Sequence, residues 1–130
     1  MKKKIKRFQR LAKIRKKDIS KDINNSNLVQ NEINKNDNLI EKIKDIMEVN
    51  KNTLSNKVVD SGYFKNNAQL LITLQSQKNI AANRNKYLRA EQKTIKQKII
   101  KNNLKKIKAE EKALEYKKFY NIELDKKNYQ

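Results

Sequence analysis

Gly62, in the run Asp60-Ser61-Gly62-Tyr63, is the only glycine in a chain of 130 residues that contains no proline. Glycine supplies the backbone freedom that a tight reversal needs, so a chain with a single breaker has a single place to turn. On both sides of it, apolar residues return every three or four positions over spans longer than a globular helix normally runs. The pattern predicts an all-α fold of two long helices in an antiparallel coiled-coil hairpin. Arm one covers about 3–57, the turn about 58–63 and arm two about 64–126.

Composition narrows the chemistry. Histidine, cysteine and tryptophan are absent, which removes the usual zinc, iron–sulfur and disulfide ligands and any triad built on an imidazole base. A phosphate-cradling loop needs several glycines, and this chain has one. No enzymatic activity, cofactor or metal is therefore expected. The length suits one domain, and two paired helices bury a seam rather than a globular core. No window approaches the roughly eighteen apolar residues of a membrane span, and residues 1–17 lack the apolar core of a secretory signal. A soluble, intracellular chain without a transmembrane segment is the expectation.

Charge is unevenly placed. The net charge is +19, carried by 33 basic residues of which only Arg7, Arg10, Arg15, Arg84 and Arg89 are arginine. Residues 1–17 contribute +10 with no acid, 18–60 contribute −2, 61–99 contribute +7 and 100–130 contribute +4. In a hairpin closed near Gly62, the two termini meet and concentrate +14 at the open end, while the slightly acidic middle of arm one faces the basic start of arm two. The second pairing favours the antiparallel register. The first calls for compensation from outside the chain. Few arginines and scattered aromatics, with only Tyr116, Phe119 and Tyr120 clustered, speak against specific nucleic-acid recognition.

In arm one, Val29, Ile33, Asn36, Ile40, Ile43, Met47, Asn50 and Leu54 alternate at four and three, a seam interrupted by two asparagines that fix register. Ile5, Phe8, Ala12, Ile19 and Ile23 extend it loosely, and the polar run Asn24-Asn25-Ser26-Asn27 is a candidate kink. In arm two, Leu74, Ala81, Leu88 and Ile95 recur by sevens, with Gln77, Arg84, Glu91 and Lys98 read as their polar seam partners. The stripe then moves to Ile100, Leu104, Ile107 and Leu114, which predicts a stutter.

The opening Arg7-Phe8-Gln9-Arg10-Leu11-Ala12-Lys13-Ile14-Arg15 resembles the N-terminus of the FliJ family of flagellar export-apparatus stalk proteins. Gln69-Leu70-Leu71-Ile72-Thr73-Leu74 is similar to the start of that family's second helix, and the stretch from Leu114 to Asp125 to its end. The resemblance implies a non-enzymatic type III export component, cytoplasmic and peripheral at the cytoplasmic face of the membrane. Its implied partners are the export ATPase ring, the linker of the membrane export-gate protein, and export chaperones. Carried over by position, ring contacts fall on Arg7, Phe8, Arg10, Lys13, Arg15 and Lys16. Gate contacts fall on Asn36, Ile40, Ile43 and Met47 in arm one and on Leu70, Leu74, Gln77 and Ala81 in arm two. The alternatives are a basic helical protein that binds nucleic acid or another polyanion without sequence preference, and a structural coiled coil with another partner.

Overall fold

In a computed structural model of the chain, the described residues are 1–56 and 61–129. They form two α-helices, α1 (Lys2–Asn56) and α2 (Ser61–Tyr129), and among them there is no strand. Cross-helix contacts make two compact units, one pairing Met1–Asn27 with Lys93–Gln130 and the other formed by Leu28–Gln92. Within each, partners further along α1 meet partners earlier in α2. Phe8 pairs with Tyr116 and Arg15 with Asn102 in the first unit. In the second, Gln30 pairs with Gln92 and Asn36 with Asn85. The helices therefore pair antiparallel, as the hairpin reading requires.

Part of the expected turn, 58–60, lies outside the described residues. The rest is helical: α2 already begins at Ser61, so Gly62 sits in its first turn, and no described glycine has a positive φ. Gly62 thus contributes no left-handed backbone, and inside a helix it costs stability relative to alanine. Gly62→Ala is expected to raise stability by about 0.5–1 kcal/mol in urea melts, whereas a loss would restore Gly62 to the reversal itself.

In the second unit, α1 presents the seam its spacing predicts. Val29, Ile33 and Ile43 are buried, and Asn36, Ile40, Met47 and Asn50 are half-buried. On α2 the seam is Asn67, Leu71, Leu74, Lys78, Ala81, Asn85, Leu88 and Gln92, all buried or half-buried at spacings of four and three. Leu74, Ala81 and Leu88 fall where expected, but their partners lie three residues before each rather than three after, and Gln77, Arg84 and Glu91 are exposed. A repeat of sevens fixes only half of a heptad seam. The other half is decided by what must be buried, and leaving Arg84 outside avoids desolvating a guanidinium.

In the first unit, Ile5, Phe8, Ala12 and Ile19 lie in the seam, interleaved with Arg15, Asp22 and Ser26. Ile23 stays 45% exposed, and α1 is continuous through the asparagine-rich run at 24–27. The side of Ser26 facing α2 is small enough to bury, so the polar run costs propensity without breaking the helix. On α2 the seam of this unit keeps spacings of four and three through Ile95, Ile99, Asn102, Lys106, Ala109, Ala113, Tyr116 and Tyr120. The predicted stutter does not occur, and Ile100, Leu104, Ile107 and Leu114 remain exposed. At 100° per residue these four point roughly 150° away from the seam. A four-residue stutter changes the phase by only about 50°, too little to bring them in.

Candidate partner-binding site

The charge follows the two units. The first carries +16 of the net +19, and the second +3. In the second unit the expected pairing of acidic arm one with basic arm two is present: Arg84 Nη2 lies 3.2 Å from Glu32 Oε1 and Arg89 Nη2 3.7 Å from Asp37 Oδ2. All four side chains are about half-exposed, so each pair contributes at most about 1 kcal/mol and serves mainly to select the register.

Register has a stronger determinant in a part-buried polar cluster around Asn85. Asn36 Nδ2 donates to Asn85 Oδ1 at 3.1 Å, and Asn85 Nδ2 donates to Asp37 Oδ1 at 2.8 Å. Asn85 is only 2% exposed, so sliding either helix by one heptad would bury its amide against apolar side chains. Asn36 is legible in the sequence as a seam asparagine. Asn85 is not, because it hides among the polar residues between Ala81 and Leu88, and only the antiparallel pairing identifies it as the partner.

The first unit has little internal compensation for its charge. Arg15 reaches across the seam to donate to Asn102 Oδ1 at 3.3 Å. Phe8 stacks on Tyr116 with centroids 5.6 Å apart and planes within 11°, while Lys4 sits over the Tyr116 ring and Lys2 over Tyr120. These aromatic faces are therefore taken up by the chain itself rather than held open for bases. Where the seam thins to Ala12, Ala109 and Ala113, an open groove of about 810 Å³ forms. Ala12 and Ala113 line it at the seam and Leu114 at its outer edge on α2, and its rim carries Lys6, Arg10, Lys13, Lys16 and Glu110.

Of the residues assigned to ring binding, Arg7, Arg10, Lys13 and Lys16 are exposed, and the last three line the groove. Phe8 and Arg15 are half-buried seam residues whose contacts hold α1 to α2. Of those assigned to the gate, Ile43, Leu74 and Ala81 are buried in the seam, and Asn36, Ile40 and Met47 are half-buried there. Only Leu70 and Gln77 are exposed. Among the described residues no cluster of acidic side chains is placed to hold a metal ion, and no helix is long and apolar enough to cross a membrane. Comparison with protein-family models, with curated proteins and with solved structures gives no significant match.

Proposed function

We propose that the chain is a non-enzymatic coiled-coil stalk of a flagellar type III export apparatus, whose cationic end engages the export ATPase ring and couples it to the membrane export gate. The observation that supports this reading most is the concentration of +16 in the unit that pairs the two termini, on helices whose seam runs without an inserted loop. Like charges crowded on two helices repel one another, and an acidic or carbonyl-lined socket relieves that repulsion while steering association. The role needs no chemistry from the chain. It needs contacts that differ between states of the ring, so that nucleotide-driven changes there bias the position of the stalk.

Arg10, Lys13 and Lys16 test the ring contact better than Arg15, because they are exposed and do not hold the seam. Reversing all three to glutamate is expected to slow ring binding and weaken ATPase stimulation by an order of magnitude or more at low salt, leaving the melting temperature nearly unchanged. Unaltered stimulation at physiological salt would reduce residues 1–17 to a solvated segment.

For the gate, the division between buried and exposed residues separates two kinds of variant. Leu74→Ala is expected to destabilise the helix pair by about 2–5 kcal/mol, because Leu74 is buried. Leu70→Ser, at an exposed position, is expected to change stability by less than about 0.5 kcal/mol yet to weaken binding to the gate linker. Full binding by the Leu70 variant would remove that residue from the docking face.

A further inference from the structure

Helix α2 carries a second apolar face in the first unit. Ile100, Leu104, Ile107 and Leu114 are 62%, 58%, 39% and 60% exposed, and they follow the spacing of four, three and seven that a coiled-coil partner reads. They occupy a stripe roughly 80° wide on the side of α2 away from α1. Aliphatic residues at this spacing cost solubility and gain nothing from the hairpin, whose own seam is complete without them.

The surroundings define the occupant. Between residues 92 and 109 there are seven lysines and no acid, and the acids near the stripe, Glu110, Glu111 and Glu115, are confined to its Leu114 end, with Glu111 at the position between Ile107 and Leu114. Lys93 and Lys96 continue the face toward the start of the segment, Lys101 and Lys108 border it, and all four are exposed. Leu114 also lines the groove rimmed by Lys6, Arg10, Lys13, Lys16 and Glu110, so the stripe and the groove share an edge and a predominantly positive charge. A second copy docking through the same stripe would set lysines against lysines. A bilayer suits a wider apolar face with aromatic residues, whereas this stripe is as narrow as a two-helix seam.

We infer that this face is a docking site for an acidic amphipathic helix of a partner protein, which packs its apolar ridge on Ile100, Leu104, Ile107 and Leu114 and sets flanking carboxylates against the lysines. The face is open to such a helix whether or not the chain acts as an export stalk. The reading commits to a partner that is helical, anionic and apolar along one ridge.

The test uses the full chain and a synthetic four-heptad peptide with leucine at the a and d positions and glutamate at e and g. Binding is followed by fluorescence anisotropy in about 150 mM salt, where long-range attraction is largely screened. Wild type is expected to bind it and to ignore a peptide with lysine at e and g. Ile100→Gln with Leu104→Gln is expected to weaken binding more than tenfold without moving the melting temperature. Lys101→Glu with Lys108→Glu, which leaves the apolar stripe intact, is expected to weaken it as well. No binding by wild type, or equal binding by the glutamine variant, overturns the proposal. So does self-association that the glutamine variant abolishes, or binding to phosphatidylglycerol vesicles that depends on the stripe when the peptide does not bind.

Discussion

Leu88→Ala is expected to cost about 2–5 kcal/mol, a large fraction of what a two-helix pair can hold. Leu88 is 1% exposed, the most deeply buried large apolar side chain among the described residues. The second unit has few others to share the loss, since among its described residues the buried apolar ones are Val29, Ile33, Ile43, Leu74, Ala81 and Leu88. Truncation there removes methyl groups from a seam whose neighbouring positions are Asn85 and Gln92, and polar side chains cannot collapse into the gap at no cost. Circular dichroism melts of Leu88→Ala beside Leu88→Met separate the effect of volume from that of identity, with methionine expected to cost less than about 1.5 kcal/mol. A Leu88→Ala melt indistinguishable from wild type would show that the seam does not run through this position.

The second large effect concerns specificity as well as stability. Asn85→Ala is expected to cost about 1–3 kcal/mol, because it strips the partner from Asn36 and from one oxygen of Asp37 in a half-buried setting. Replacing Asn36 and Asn85 together by leucine should do the opposite, raising the melting temperature, since two apolar side chains then meet where two amides met. It should also remove the feature that penalises other registers and assemblies, so that species larger than the wild type appear in sedimentation. A stabilised double variant with the wild-type sedimentation coefficient would mean that the flanking pairs Glu32–Arg84 and Asp37–Arg89 suffice to fix the pairing.

The sequence carried the fold because the determinants of helix pairing are local. A chain without proline, with one glycine and with apolar residues at three and four, has few other ways to bury them. Arm one was legible down to Asn36 because each of its seam positions from Val29 to Asn50 is apolar or asparagine. Arm two was legible at Leu74, Ala81, Leu88 and Ile95 and misread at the positions between and beyond them, because polar residues interrupt its seam. Lys78, Asn85, Gln92, Asn102 and Lys106 occupy it, while Ile72, Ile80, Ile100, Leu104 and Leu114 stay outside. Past Ile95 the exposed aliphatics drew the periodicity off the seam, where Asn102 and Lys106 gave no apolar signal to hold it. Gly62 marked the region of the reversal but not its own conformation, since an exposed glycine is tolerated in a first helical turn at modest cost. The concentration of charge was readable once the termini were placed together. Which of those cations remain free of the seam was not, because Arg15 and Lys16 look alike until one points across to Asn102 and the other lines the groove.

The most direct measurement is sedimentation of the full chain with the purified export ATPase ring at about 150 mM salt, with and without an equal mass of duplex DNA as a competing polyanion. The stalk account predicts a saturable complex with the ring that survives the competitor and is lost when Arg10, Lys13 and Lys16 are reversed, alongside DNA binding that is weak and falls steeply with salt. Absence of a ring complex, together with salt-resistant binding to the DNA, would contradict it and assign the cationic unit to a nucleic acid instead.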